Sequence, residues 1–265
     1  AHTGSLLWGT RIASVVADLR TADVPVRVPA SDGGPDWVLV ASDLDGRPGL
    51  TARNARTGTA VWHQSFEAGF AGRPVVVGRR VYVPLADPLG TVVEIQIATG
   101  ARLGAIQIRQ PLGSGIVGVP GPTAGGGFLF VAADARRVFI FEVGREADDG
   151  REPPRLARVI ATGHPRDSLR GEPLVIGSEE ARFLVLPLAN GPGQMVLKSL
   201  ALPAFAELIA DPAGATLPAD RTSDVTVPGW NWFPPACDGE RLVLASDAAH
   251  FMANIERQNP FPIFF

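Results

Sequence analysis

The chain has 265 residues, with Lys+Arg 24 against Asp+Glu 27 and a formal net charge of −3, so it offers neither the basic footprint of a nucleic-acid binder nor a cationic run for a membrane surface. Its single cysteine, Cys237, excludes an intramolecular disulfide and a cysteine-based metal cluster, and no apolar stretch approaches the ~18 residues that span a bilayer. Gly 30 and Pro 24 punctuate the whole length and bound short runs rich in Val, Ile, Leu and Phe, which predicts many short strands.

In chain order, TGSLLW (Thr3 to Trp8) reads as a turn entering a strand, and VLVASD, ending at Asp43, reads as a strand after the turn cluster DGG. NARTGTAVW, residues 54–62, repeats the T-G-x-x-x-W of the start; Thr57-Gly58 between two strand-like runs predicts a hairpin turn with the glycine at positive φ. YVPLAD follows, ending at Asp87, and then QIATGARLG, residues 96–104, with Gly100 in the same role as Gly58.

QPLGSGIVGVPGP, residues 110–122, contains G-x-G-x-x-G at Gly113, Gly115 and Gly118, with Asp134 downstream where a ribose-binding acid would sit. A dinucleotide site needs a helix opening at the third glycine, and Pro120, Pro122 and the Gly125 to Gly127 run leave no room for one. The segment is instead expected to be a connection between repeated units, before the strand FLFVAAD that ends at Asp134. Beyond it come the charged loop GREADDGREPP (residues 144–154), VLPLAN ending at Asn190, a long excursion from Ala210 to Trp232, LVLASD ending at Asp247, and the apolar tail NPFPIFF.

The runs ending at Asp43, Asp87, Asp134, Asn190 and Asp247 superimpose with steps of 44, 47, 56 and 57 residues. Each has a proline upstream (Pro29 or Pro35, then Pro74, Pro122, Pro173 and Pro235), a residue suited to the start of a strand, and a glycine-rich or charged cluster suited to a hairpin. Units of this length, each too small to bury both faces of its sheet, predict an all-β propeller of four-stranded antiparallel blades in one domain, residues 1–265. Five blades closed by the N-terminal strand is the expected count, with TGSLLWGTRI as the outer strand of the last blade; the alternative is a piece of a six- to eight-bladed propeller.

The strand, turn and N/D-x-x-T-G-x-x-x-W pattern resembles the blade motif of the quinoprotein-like propellers, also called pyrroloquinoline-quinone-like repeats. Thr3 to Trp8 and Asn54 to Trp62 carry it well; Gln96 to Gly104 carries it in part, because Gly104 stands where the family has tryptophan. The resemblance implies either quinone- and calcium-dependent dehydrogenases or non-catalytic envelope scaffolds and assembly factors. The vicinal cysteine pair of the enzymes is absent, and no local Glu/Asn/Asp set matches their calcium site, so no cofactor, metal or catalytic residue is assigned.

Other chemistry finds little support in the spacing. His2, His63, His164 and His250 show no metal-ligand spacing, and there is no nucleophile elbow or phosphate loop. The five recurring acids read as turn caps rather than as a cation ring. Trp230, Trp232 and Phe233 are the candidate binding residues, since long excursions in compact domains are often functional. The expected role is a non-enzymatic binding or scaffold propeller for protein-protein or cell-envelope contacts, in the periplasm or envelope, with a protein partner or a neighbouring domain of a larger chain and no nucleic acid. The alternative is a degenerate quinoprotein-type oxidoreductase or a carbohydrate-active enzyme using the central funnel.

Overall fold

The computed structural model describes residues 8–10, 25–29, 36–44, 47–122, 125–134, 136–147, 150–169, 171–177, 182–191, 193–202, 222–229, 236–237, 241–245, 250–254 and 263–264. These residues contain strands and turns and no helix.

Five four-stranded antiparallel sheets follow one another along the chain. The first holds β1 (Val26–Val28), β2 (Trp37–Leu44), β3 (Arg47–Asn54) and β4 (Ala60–Ser65); the second β5 (Val75–Val77), β6 (Arg80–Pro84), β7 (Thr91–Gln96) and β8 (Arg102–Gln107). The third holds β9 (Leu112–Pro120), β10 (Gly127–Ala133) and β11 (Arg137–Val143), then, beyond a small hairpin of β12 (Glu146–Ala147) and β13 (Gly150–Arg151), β14 (Arg155–Ala161). The fourth holds β15 (Leu174–Gly177), β16 (Arg182–Ala189), β17 (Gln194–Leu202) and β18 (Thr222–Pro228); the fifth β19 (Ala236–Cys237), β20 (Arg241–Ala245), β21 (His250–Asn254) and β22 (Ile263–Phe264). Every sheet keeps chain order from one edge to the other, and the five superimposable runs supply the second strand of each.

The second strands are apolar on both sides because both sides are covered. Val81 and Val83 pack with Leu39, Leu50 and Trp62 of the first sheet, whereas Tyr82 between them packs with Leu129 and Val131 of the third. Phe128, Phe130 and Ala132 turn the other way, onto Leu184, Leu186 and Leu188 of the fourth sheet. The period-2 alternation of a strand therefore distributes its side chains between two neighbours, and sheets one to four stack face to face in sequence order. Fully burying a Leu, Val or Phe is worth roughly 1.5–3 kcal/mol each, so these inter-sheet layers carry most of the stability.

The Thr-Gly turns also join adjacent sheets. Gly58 and Gly100 have φ of 72° and 73°, as their hairpin role requires. A methyl group on Gly100 would lie 2.7 Å from Trp62 Cγ, and one on Gly58 2.6 Å from Trp8 Cγ. The indole N–H of Trp62 donates to Ile97 O at 2.7 Å, and that of Trp8 to Ala55 O at 2.9 Å. Each tryptophan covers the bare glycine of the following unit's turn.

Several expectations are corrected. GSGIVGVP is the first strand of the third sheet rather than a connection, because Gly113, Gly115 and Gly118 are strand positions pressed against neighbours: a methyl on Gly118 would meet Val77 Cγ2 at 2.7 Å. That strand starts after Pro111, so Pro122 falls in the turn that follows it, and Pro25 rather than Pro29 or Pro35 precedes β1. Part of the long excursion, Thr222–Pro228, is the outer strand of the fourth sheet. The outer place in the fifth sheet, expected for TGSLLWGTRI, is held by Ile263–Phe264, which pairs with Met252 and Ala253. A strand only a few residues further along the chain closes a shorter loop than one from the opposite terminus.

Candidate functional site

The chain segments that lead into the first strands converge. A methyl on Gly72 would stand 2.3 Å from Gly115 Cα and 3.3 Å from Glu172 Oε1, and one on Gly115 3.0 Å from Glu172 Cγ. These residues belong to the second, third and fourth units. Units two apart in a radial stack can touch only near its axis, so this contact marks the centre. The sequence says the same once the positions are known: Gly72-Arg73-Pro74 and Gly171-Glu172-Pro173 occupy equivalent places before β5 and β15.

Glu172 is buried, its side chain 5% exposed, and its carboxylate is fully engaged. Oε1 accepts the Arg73 backbone N–H at 2.7 Å and Oε2 accepts Arg73 Nε at 2.7 Å. The guanidinium balances the charge in place and the amide adds a second hydrogen bond, one to each carboxylate oxygen. Among the described residues, backbone lies against backbone at this point, with one ion pair beside it.

A second buried charge lies between sheets two and three. Arg80 Nη1 and Tyr82 Oη both donate to Glu94 Oε1 at 3.2 Å. Burial pushes the Tyr82 phenol far above its ordinary value, and the Glu94 carboxylate adds to the shift. The alternating strand pattern hid this triad, because Arg80 and Glu94 look like solvent-facing residues until the third sheet covers them.

His63 and His164 have separate hydrogen-bonding partners. His63 on the outer strand β4 has Nδ1 2.9 Å from Thr51 Oγ1 and Nε2 3.2 Å from Ser65 Oγ, so it is held between two hydroxyls. His164 is buried between Thr162 Oγ1, bonded to Nδ1, and Ala133 O, 3.1 Å from Nε2. Since a carbonyl only accepts, Nε2 carries the proton and Nδ1 accepts from the threonine. Burial lowers its pKa below the ordinary value.

The recurring acids have separate duties. Asp87 Oδ1 accepts the Thr91 N–H at 3.0 Å and caps its own turn, while Asp134 accepts the Asp167 N–H at 3.0 Å and pairs with Arg166 at 3.1 Å, tying the third unit to the connection that leads into the fourth. Asn190 closes its turn by a backbone N–H to Gln194 O. Asp247, His2, Trp230, Trp232 and Phe233 lie outside the described residues. Among the described residues no group of three or more His, Cys, Asp or Glu could hold a metal ion. The charged loop is a folded hairpin whose base is pinned by Glu142, which receives Arg155 at 2.7 Å and Arg145 at 3.4 Å.

Four-stranded sheets stacked face to face, with the first strands gathered at the centre and tryptophans seated on the next unit's Thr-Gly turn, define a β-propeller built from pyrroloquinoline-quinone-like repeats. The family model described as outer membrane protein assembly factor BamB matches residues 1–152, and the chain belongs to that family. Among solved structures, a chain of the humanized mutant of the Chaetomium thermophilum Polycomb Repressive Complex 2 bound to the inhibitor GSK343 is similar, with a TM-score of 0.54 at 12% identity over 90% of this chain. At that identity the likeness is one of fold alone, and the present chain spans 52% of the other. A search of the curated proteins finds no match.

Proposed function

We propose that this chain is a non-enzymatic binding propeller of the cell envelope, a rigid single-domain disc whose rims recognise other proteins rather than nucleic acid. One observation carries the reading: among the described residues, Gly72 packs on Gly115 and the Glu172 carboxylate beside them is held by Arg73. A propeller enzyme needs an open polar funnel with groups free to act on a substrate, and close backbone packing beside a paired carboxylate favours the binding role instead. Membership of a family described as an outer membrane protein assembly factor supports the same role and compartment.

Chemical crosslinking of the protein in envelope preparations, read by mass spectrometry, tests the proposal. Crosslinks from the disc to a small recurrent set of envelope proteins are expected. Stoichiometric uptake of pyrroloquinoline quinone with calcium, followed by its absorbance, or quinone-dependent dye reduction, would overturn it.

A further inference from the structure

Three non-glycine residues among those described have positive φ: Arg109 at 58°, Arg136 at 60° and Asp167 at 56°. All three lie on the rim that carries the loops between second and third strands and the connections between units. They are joined through one knot of hydrogen bonds. Arg109 N–H donates to Leu89 O at 2.9 Å, Asp134 N–H to Pro111 O at 2.9 Å, Asp167 N–H to Asp134 Oδ1 at 3.0 Å, and Arg136 N–H to His164 O at 3.1 Å. A left-handed conformation strains an L-residue, and glycine would relieve the strain at either arginine. Strain of this kind gathers where a side chain is being presented.

The side chains presented are those of a recognition surface. Arg109, Arg136 and its neighbour Arg137 are exposed, and the Arg166 side chain is 74% exposed. Leu89, 48% exposed, is one of three large exposed hydrophobics among the described residues and sits beside Arg109. Among the described residues of this rim, Asp134 is paired with Arg166, while Asp87 caps the Thr91 amide and keeps its charge, as does Asp167; four arginines against three aspartates leave the ridge net positive. Guanidinium groups beside an apolar anchor match carboxylates flanking an apolar side chain.

We propose that this ridge, Leu89 with Arg109, Arg136, Arg137 and Arg166, is a docking site for an acidic peptide segment of a partner protein that carries a central Leu- or Phe-like side chain. The inference rests on the protein-binding reading above and assigns it a face and a partner chemistry. It is tested with short random peptides displayed on phage and selected against the intact protein, the enriched sequences then being synthesised with a fluorescent label and titrated by anisotropy. Enrichment of Asp and Glu around a large apolar residue is expected, with affinity falling at least about tenfold in Arg109→Glu/Arg136→Glu and in Leu89→Ser, and unchanged in Arg56→Glu, an exposed arginine in the β3–β4 turn. Variants are compared at equal melting temperature and circular dichroism, and an Arg109→Lys/Arg136→Lys protein, which keeps the charge and the backbone strain, retains part of the affinity. Selected peptides without acid enrichment, or binding indifferent to these substitutions, would overturn the assignment. Envelope crosslinks confined to other faces of the disc would also overturn it while leaving the scaffold role standing.

Discussion

Trp62 lies on Gly100 of the next sheet, its ring carbons 2.7 Å from where a β-carbon would stand and its N–H donating to Ile97 O at 2.7 Å. Trp8 repeats the relationship on Gly58. The partnership also explains a gap: the second unit has Gly104 at the tryptophan position, and the third unit, onto which that tryptophan would fold, has no Thr-Gly between its strands β11 and β14. Donor and acceptor of the contact are absent together.

Gly100→Val is expected to destabilise the protein by more than the ~1–2 kcal/mol of a left-handed β-branched residue, because the added carbons also displace Trp62. Trp62→Ala is expected to cost about 3–5 kcal/mol. Urea unfolding followed by circular dichroism measures both, and wild-type midpoints in either variant would remove the tryptophan-turn contact as a stabilising element.

At the centre, Arg73→Ala strips Glu172 of its side-chain partner while the carboxylate stays buried, at an expected cost of about 1–3 kcal/mol. Arg73→Ala/Glu172→Gln removes the stranded charge and recovers part of the loss. A double-mutant cycle in denaturant reads the coupling, and strict additivity would deny that the two groups interact.

Tyr82 is the one tyrosine of the chain, so alkaline absorbance near the phenolate band reports on it alone. Its folded pKa is raised by burial and by Glu94, so the native protein is expected to show no phenolate signal as pH passes 10.0, the ordinary value, and to gain it only on unfolding. The raised value also means that stability present below the ordinary pKa is lost above it, since the unfolded chain releases the proton first. Tyr82→Phe abolishes the signal and flattens the tyrosine part of that alkaline loss.

His164 acts at the other end of the scale. Its folded pKa is depressed below 6.5, so the unfolded chain takes up the proton more readily, and stability is expected to decline as pH falls from 6.5 towards the depressed value, levelling off below it. Thermal melts across that window, compared with His164→Gln, test the assignment: the variant has a shallower slope, and parallel slopes would contradict it.

The sequence by itself determined the class of fold. Alternating apolar runs closed by Asp or Asn, separated by turn residues, specify short strands that are apolar on both faces, and such strands are stable only when sheets cover both sides. It also located the positive-φ turns at Gly58 and Gly100, because their geometry is local. What only the tertiary structure decided is which residues meet. The strand identity of the Gly113 to Gly118 run depends on the close approach of Gly72, Val77 and Glu172 from other units, and the pairing of Arg73 with Glu172 joins positions 99 residues apart. Local propensity carries no information about such contacts, since packing of the sheets around a common centre, rather than the backbone near each residue, brings them together.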